Sequence, residues 1–158
     1  MQIVHIYDIA GKSWFAQSTT AQGGSYPGGR GGFCSVVASA EDDSSHNIYI
    51  YGGSMYGDDS NEVFILTLPA FHWVSVYPPT NNSDALILQG NGHRCQKVHE
   101  KYMVAYGGQY TCQNETQSKR INGMVIYDMS SLTWTTKVEI GNQKYSVPQA
   151  LYEIIGGK

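Results

Sequence analysis

Charge is scarce in this chain. Asp, Glu, Lys and Arg together make up 15% of its 158 residues, and the formal balance is −3. With no basic stripe to neutralise a phosphate backbone, the composition argues against nucleic acid as a partner. No apolar run is long enough to span a bilayer. No apolar pattern is sustained at helical spacing either. Met1 leads straight into a strand-like segment, without the basic and apolar regions of a secretory leader. Cysteine is limited to three residues, an odd number that cannot all pair within one chain. What is plentiful is glycine (18 residues) and aromatic side chains (12%), on a 41% hydrophobic background. That mixture favours sheets joined by tight turns over helices or disorder.

The strands come as a repeat. Asn47-Ile-Tyr-Ile-Tyr-Gly52-Gly53 is followed by Val63-Phe-Ile-Leu-Thr-Leu and Trp73. Tyr102-Met-Val-Ala-Tyr-Gly107-Gly108 leads to Met124-Val-Ile-Tyr-Asp128 and Trp134. Ile3-Val-His-Ile-Tyr-Asp8 with Trp14 is the second half of the pattern, and Tyr152-Glu-Ile-Ile-Gly156-Gly157 begins it again. The glycine pairs step by 55 and 49 residues, whereas Asp8 to Trp14, Thr67 to Trp73 and Asp128 to Trp134 are each six apart. Fixed short spacings inside variable long ones mean rigid hairpins joined by elastic loops, and periods near 50 residues point to propellers. The glycine pairs allow positive φ and close backbone approach. Asp8 and Asp128 suit turns. Each indole offers a broad surface for packing between neighbouring sheets.

In chain order, residues 2–18 read as the second half of a unit, with strands at Ile3–Asp8 and Ser13–Gln17. Residues 30–77 read as a full four-stranded unit: Phe33–Ser39, Asn47–Tyr51, Glu62–Leu68 and His72–Tyr77. A second full unit fills 93–138, with strands at His93–His99, Tyr102–Tyr106, Asn122–Asp128 and Thr133–Val138. Residues 147–158 read as the start of a further unit, with Val147–Ile155 extended. The Gly-rich stretch Ala21–Gly32 is a crossing between units. It lacks the Lys-Ser/Thr and the following helix of a phosphate loop.

Several of these segments carry a family resemblance. Arg30-Gly-Gly-Phe-Cys34-Ser-Val-Val with Ser45-His-Asn-Ile-Tyr-Ile-Tyr-Gly-Gly, His93-Arg-Cys95, Tyr127-Asp-Met-Ser-Ser-Leu-Thr-Trp134 and Ser146-Val-Pro-Gln-Ala-Leu-Tyr-Glu-Ile-Ile-Gly-Gly157 span most of the chain. They resemble the C-terminal part of the kelch-repeat β-propeller ectodomains of filamentous fungi, which are often membrane-anchored. The resemblance implies an all-β partial propeller: two complete four-stranded antiparallel blades flanked by two partial ones. It implies further blades, a secretion signal and a membrane segment outside this sequence, so the chain is expected to be a fragment, marginal alone. It also implies a cell-surface, extracellular setting.

Cys34 and Cys95 each open the first strand of a unit, and equivalent positions on neighbouring units are expected to lie too far apart to bridge. Cys112 follows Gly108 by four residues, at the sheet edge where Cys95 begins its strand. The expectation is a Cys95–Cys112 disulfide with Cys34 buried and free; the alternative is three reduced thiols. Asn81-Asn-Ser83 and Asn114-Glu-Thr116 are glycosylation sequons. Glu41-Asp42-Asp43 and Asp58-Asp59 lack the alternating oxygen ligands of a calcium loop and read as solvated loop ends. His5, His46, His72, His93 and His99 are scattered, and none forms the paired-histidine motif of a zinc protease. Galactose oxidases share the propeller fold, but none of their copper-ligand motifs aligns. No residue is assigned as catalytic, cofactor-binding or metal-binding, and no cofactor is expected. The function expected is a non-catalytic binding or scaffold module for a protein partner, presented on the loops at one rim. A cell-wall glycan ligand and a galactose-oxidase-like enzyme with its catalytic blades elsewhere are the alternatives.

Overall fold

The computed structural model of the chain describes residues 1–55, 58–76, 89–111, 124–141 and 144–155. Among the described residues the fold is all-β apart from one 3-10 turn at Gln22–Gly24 and one short helix. In chain order the strands are β1 (Ile3–Asp8), β2 (Ser13–Ser18), β3 (Thr20–Ala21), β4 (Cys34–Ser39) and β5 (His46–Tyr51). Then come β6 (Ser54–Met55), β7 (Asp58–Asp59), β8 (Val63–Leu68), β9 (His72–Val76) and β10 (Gln89–Asn91). Last are β11 (Arg94–Val98), β12 (Tyr102–Tyr106), β13 (Gln109–Thr111), β14 (Met124–Asp128), β15 (Thr133–Thr135) and the helix α1 (Gln149–Ile155).

Two sheets dominate. The first runs β4-β5-β8-β9 antiparallel, with β3 added in parallel beyond β9; the second runs β11-β12-β14-β15 antiparallel. β1 and β2 form a separate hairpin. This architecture is consistent with a kelch-like β-propeller. The long strands fall close to the expected positions. The paired short strands β6 with β7 and β10 with β13, at loop bases, had no apolar alternation to announce them.

The six-residue spacing has a structural origin. Asp8 pairs with Ser13, Thr67 with His72 and Asp128 with Thr133, leaving four residues in each turn. The fourth takes positive φ every time: Lys12 at 50°, Phe71 at 51° and Leu132 at 56°. Asp8 Oδ1 accepts the Ala10 N–H, and Asp128 Oδ1 accepts those of Ser130 and Ser131. The turn donors are thus satisfied by a short carboxylate. The next residue along is the indole, opposite Tyr7, Leu66 or Tyr127.

The alternation of each strand decides which face meets what. In the first sheet Ile50, Phe64, Leu66 and Trp73 form one buried face, packed with Met1 and Val4 from the preceding hairpin. Its opposite face carries Cys34, Val36, Tyr49, Tyr51, Val63, Ile65 and Val74. That face packs against Met103, Ala105, Val125, Tyr127 and Trp134 of the second sheet. Tyr102, Val104 and Ile126 are buried on the second sheet's far side, with Val98 and Val138. Each indole therefore leans toward the preceding sheet. Trp73 Nε1 donates to Met1 O at 3.0 Å. The Trp134 ring lies 4.8 Å from that of Tyr51. In the first hairpin the same face is open: Trp14 stacks on Tyr7 at 5.1 Å but remains 69% exposed.

The segment Val147–Ile155 departs from expectation. It is not extended; Gln149–Ile155 is helical, with the Leu151 and Tyr152 N–H groups bonding Pro148 O. Among the described residues no strand lies alongside it. Its backbone groups are then best satisfied locally, and a proline just ahead of the helix needs no N–H partner. Leu151 is fully buried against the main core.

Burying an indole of roughly 200 Å² at about 25 cal/mol per Å² contributes up to about 5 kcal/mol. Trp134→Ala and Trp73→Ala should each cost about 3–5 kcal/mol in urea unfolding, and Trp14→Ala less than about 0.5. Equal losses for all three would contradict the packing described.

Candidate functional site

The strands that approach each other across the two sheets are β4 and β11, an edge strand of each. Here the structure joins Cys34 to Cys95 in a disulfide, with Cα atoms 5.4 Å apart. This corrects the expected Cys95–Cys112 bridge and the free Cys34; Cys112 lies outside the described residues. The reason is register. Cys34 pairs with Tyr51, and the position equivalent to Tyr51, counted from the glycine pair, is Tyr106. Tyr106 pairs with Arg94, so Cys34 matches Arg94 and not Cys95. A shift of one residue turns a side chain to the other face of its sheet. Cys34 faces forward from the first sheet, Cys95 faces back from the second, and the two sulfurs meet.

His93 completes the cluster. It lies two residues before Cys95, is 4% exposed, and its Nε2 is 3.1 Å from Tyr51 O. A carbonyl can only accept, so Nε2 carries a proton. The Cys34 and Cys95 sulfurs and an imidazole nitrogen of His93 all lie within 4.8 Å of one another. Gly52 makes the room: a Cβ there would stand 2.5 Å from His93 Cε1. Gly108 likewise lets the backbone pass, since a Cβ would meet His93 N at 2.6 Å. The glycine pairs share one conformation, with φ of 68° and 91° at Gly52 and Gly53 and 69° and 83° at Gly107 and Gly108. Gly156 and Gly157 lie outside the described residues.

At the opposite end of β5 the sheets are tied by a polar relay. Asn47 Nδ2 donates to Tyr145 OH, Tyr145 shares a 2.9 Å bond with Tyr49 OH, and Tyr49 OH donates to Met129 O. Burial pushes the Tyr145 phenol up to about 12, although its bonds to Tyr49 and Asn47 favour the ionised form. Burial also raises Tyr49 and Tyr127 strongly. Beside the relay is a hollow of about 420 Å³ bordered by Glu41, Asp42, Tyr145 and Tyr152. A second, of about 250 Å³, is bordered by Asp43, Glu100 and Lys144. Asp42 is occupied by Ser44, and Glu41 by Lys144.

The other expected residues stay apart. His46 bonds Ser39 Oγ and His72 bonds Thr20 Oγ1, while His5 and His99 are exposed. Asp128, besides capping its turn, pairs with Lys101 at 3.1 Å. Asn81 and Asn114 lie outside the described residues.

No family model matches the sequence. A curated protein does align, with 29% identity over 183 positions. This chain is similar to a kelch repeat-containing protein of the fungus Arthroderma benhamiae. The alignment covers 99% of the chain and 26% of that relative, so the chain spans about a quarter of the kelch protein's length.

Two outcomes follow. Digestion without reductant should yield a Cys34 peptide linked to a Cys95 peptide; a Cys95–Cys112 link would contradict the register argument. Tyr145 titrates near 10.0 when unfolded and about 12 when folded. The folded state then holds its proton more tightly, so stability is full below pH 10 and falls as pH rises toward about 12. Tyr145→Phe should shrink that fall in pH-dependent urea unfolding.

Proposed function

We propose that this chain is a stretch of a kelch-type β-propeller and serves as a non-catalytic binding module of a larger cell-surface protein. In this reading residues 2–18 supply the outer half of one blade, and 30–77 and 93–138 are complete blades. The observation that carries it is the face-to-face stacking of two antiparallel four-stranded sheets with equivalent indoles and glycine pairs. The likeness to a kelch repeat-containing protein supports it. A stack of this kind turns its loops to two rims, and loops on a rigid scaffold are where partners are held. The rim with residues 40–45, 99–101 and 144–147 offers an acidic, hollowed surface suited to a basic segment of a protein partner. The Cys34–Cys95 disulfide is in keeping with an oxidising, extracellular setting. Sequons at Asn81 and Asn114 agree with that setting.

The test is quantitative interaction proteomics on the immobilised chain against a Glu41→Lys, Asp43→Lys variant of unchanged circular dichroism. A defined protein that binds the first and is lost from the second is the expected result. Turnover of a primary-alcohol sugar by the copper-supplied protein would instead favour the oxidase alternative. Retention on cell-wall polysaccharide, unchanged by the charge reversals, would favour a lectin.

A further inference from the structure

The Cys34, His93 and Cys95 constellation has more donors than a disulfide needs. Two sulfurs account for the bridge, and His93 is placed beside them by three separate features. It shares a face with Cys95 because strand residues two apart point the same way. Gly52 leaves the volume its ring occupies. The Tyr51 carbonyl fixes its proton on Nε2. A ring held by a backbone carbonyl through one nitrogen, with an imidazole nitrogen within 4.8 Å of two sulfurs, has the usual posture of a metal-bound histidine.

We propose that the reduced form of this cluster is a zinc site, with Cys34 Sγ, Cys95 Sγ and an imidazole nitrogen of His93 as ligands and a water or outside ligand in fourth place. Tetrahedral Zn²⁺ holds sulfur at about 2.3 Å and nitrogen at about 2.0 Å, which spaces its donors roughly 3.5–3.8 Å apart. The three donors already converge to within 4.8 Å on elements that the sheets hold in place. Two thiolates and one Zn²⁺ sum to zero charge, which suits a buried position better than a lone ion. Soft thiolate and imidazole donors favour Zn²⁺ over Ca²⁺ or Mg²⁺.

The chemistry makes the site conditional. While the sulfurs are bonded to each other they are spent. Two molecules of a low-molecular-weight thiol deliver two electrons and two protons to the bridge and leave as their own disulfide, giving the Cys34 and Cys95 thiols. Zn²⁺ then displaces those two protons. One position between β4 and β11 is thereby stapled in either redox state, by a covalent bond when oxidised and by a metal when reduced. In the oxidising setting suggested above, the zinc form belongs to the newly made or reduced chain. The assignment stands whether or not the chain is a binding module.

The experiment uses the full chain with Cys112→Ser, so that no third thiol contributes. Reduced protein, titrated with Zn²⁺ against a chromogenic chelator, should take up one equivalent, and oxidised protein none. His93→Ala should weaken binding by at least about a hundredfold, beyond the loss typical of outer partners. Cys34→Ser should abolish it. X-ray absorption on the reduced, zinc-loaded chain with His93, Cys34 and Cys95 intact should show two sulfurs and at least one imidazole nitrogen, and needs no variant at those three positions. Absence of stoichiometric binding, undiminished affinity in His93→Ala, or a metal shell without two sulfurs would each overturn the assignment.

Discussion

Everything in this molecule depends on two sheets presenting the right faces to each other. The forward face of β4, β5, β8 and β9 and the backward face of β11, β12, β14 and β15 are both apolar, and together they exclude water. Once Tyr49, Tyr51 and Ile65 are committed to that contact, strand alternation commits Cys34 as well. The same holds for Ala105, Tyr127 and Trp134 on the facing sheet, which carry Cys95 with them. The sulfur pair is thus a by-product of packing, and so is the position of His93 above Gly52.

Polar groups inside such an interface are tolerated only when they are paired. The relay from Asn47 through Tyr145 and Tyr49 to Met129 meets that demand with three hydrogen bonds spanning separate parts of the chain. It also accounts for the buried phenols of Tyr49 and Tyr145, whose ionised forms burial disfavours. Arg30 does similar service at the rim near Gly52, bonding Glu62, Ser60 and the Gly52 carbonyl while its guanidinium lies over Phe64.

The repeat was legible because a hairpin of fixed length leaves a fixed spacing. Asp8 to Trp14 and Asp128 to Trp134 report a four-residue turn whatever surrounds it. The long strands were legible from apolar runs bounded by glycine. The disulfide was not, because it depends on pairing register across a loop. The turn between β4 and β5 is longer than that between β11 and β12, and simple alignment of strand starts made Cys34 and Cys95 equivalent positions, which implied that they could not bridge. Counting back from Gly52 and Gly107 through the strand pairs would have shown the one-residue offset. His93 carried no sequence signal as part of a cluster, since its sulfur neighbours come from two sheets. The helix at Gln149–Ile155 was obscured because Tyr152-Glu-Ile-Ile-Gly-Gly imitates the strand ends of the repeat, and pairing, which the segment does not have among the described residues, decides between the two.

The stacking has a sense of direction. Trp73 and Trp134 each rest on the sheet before them, while the second sheet meets a face of the first lined by tyrosine and small aliphatic side chains. Flipping one layer would bring indole against indole and leave the thin faces apart. Such an array can lengthen only head to tail, as a polar polymer does, and any symmetric back-to-back dimer through these surfaces would be mismatched in shape.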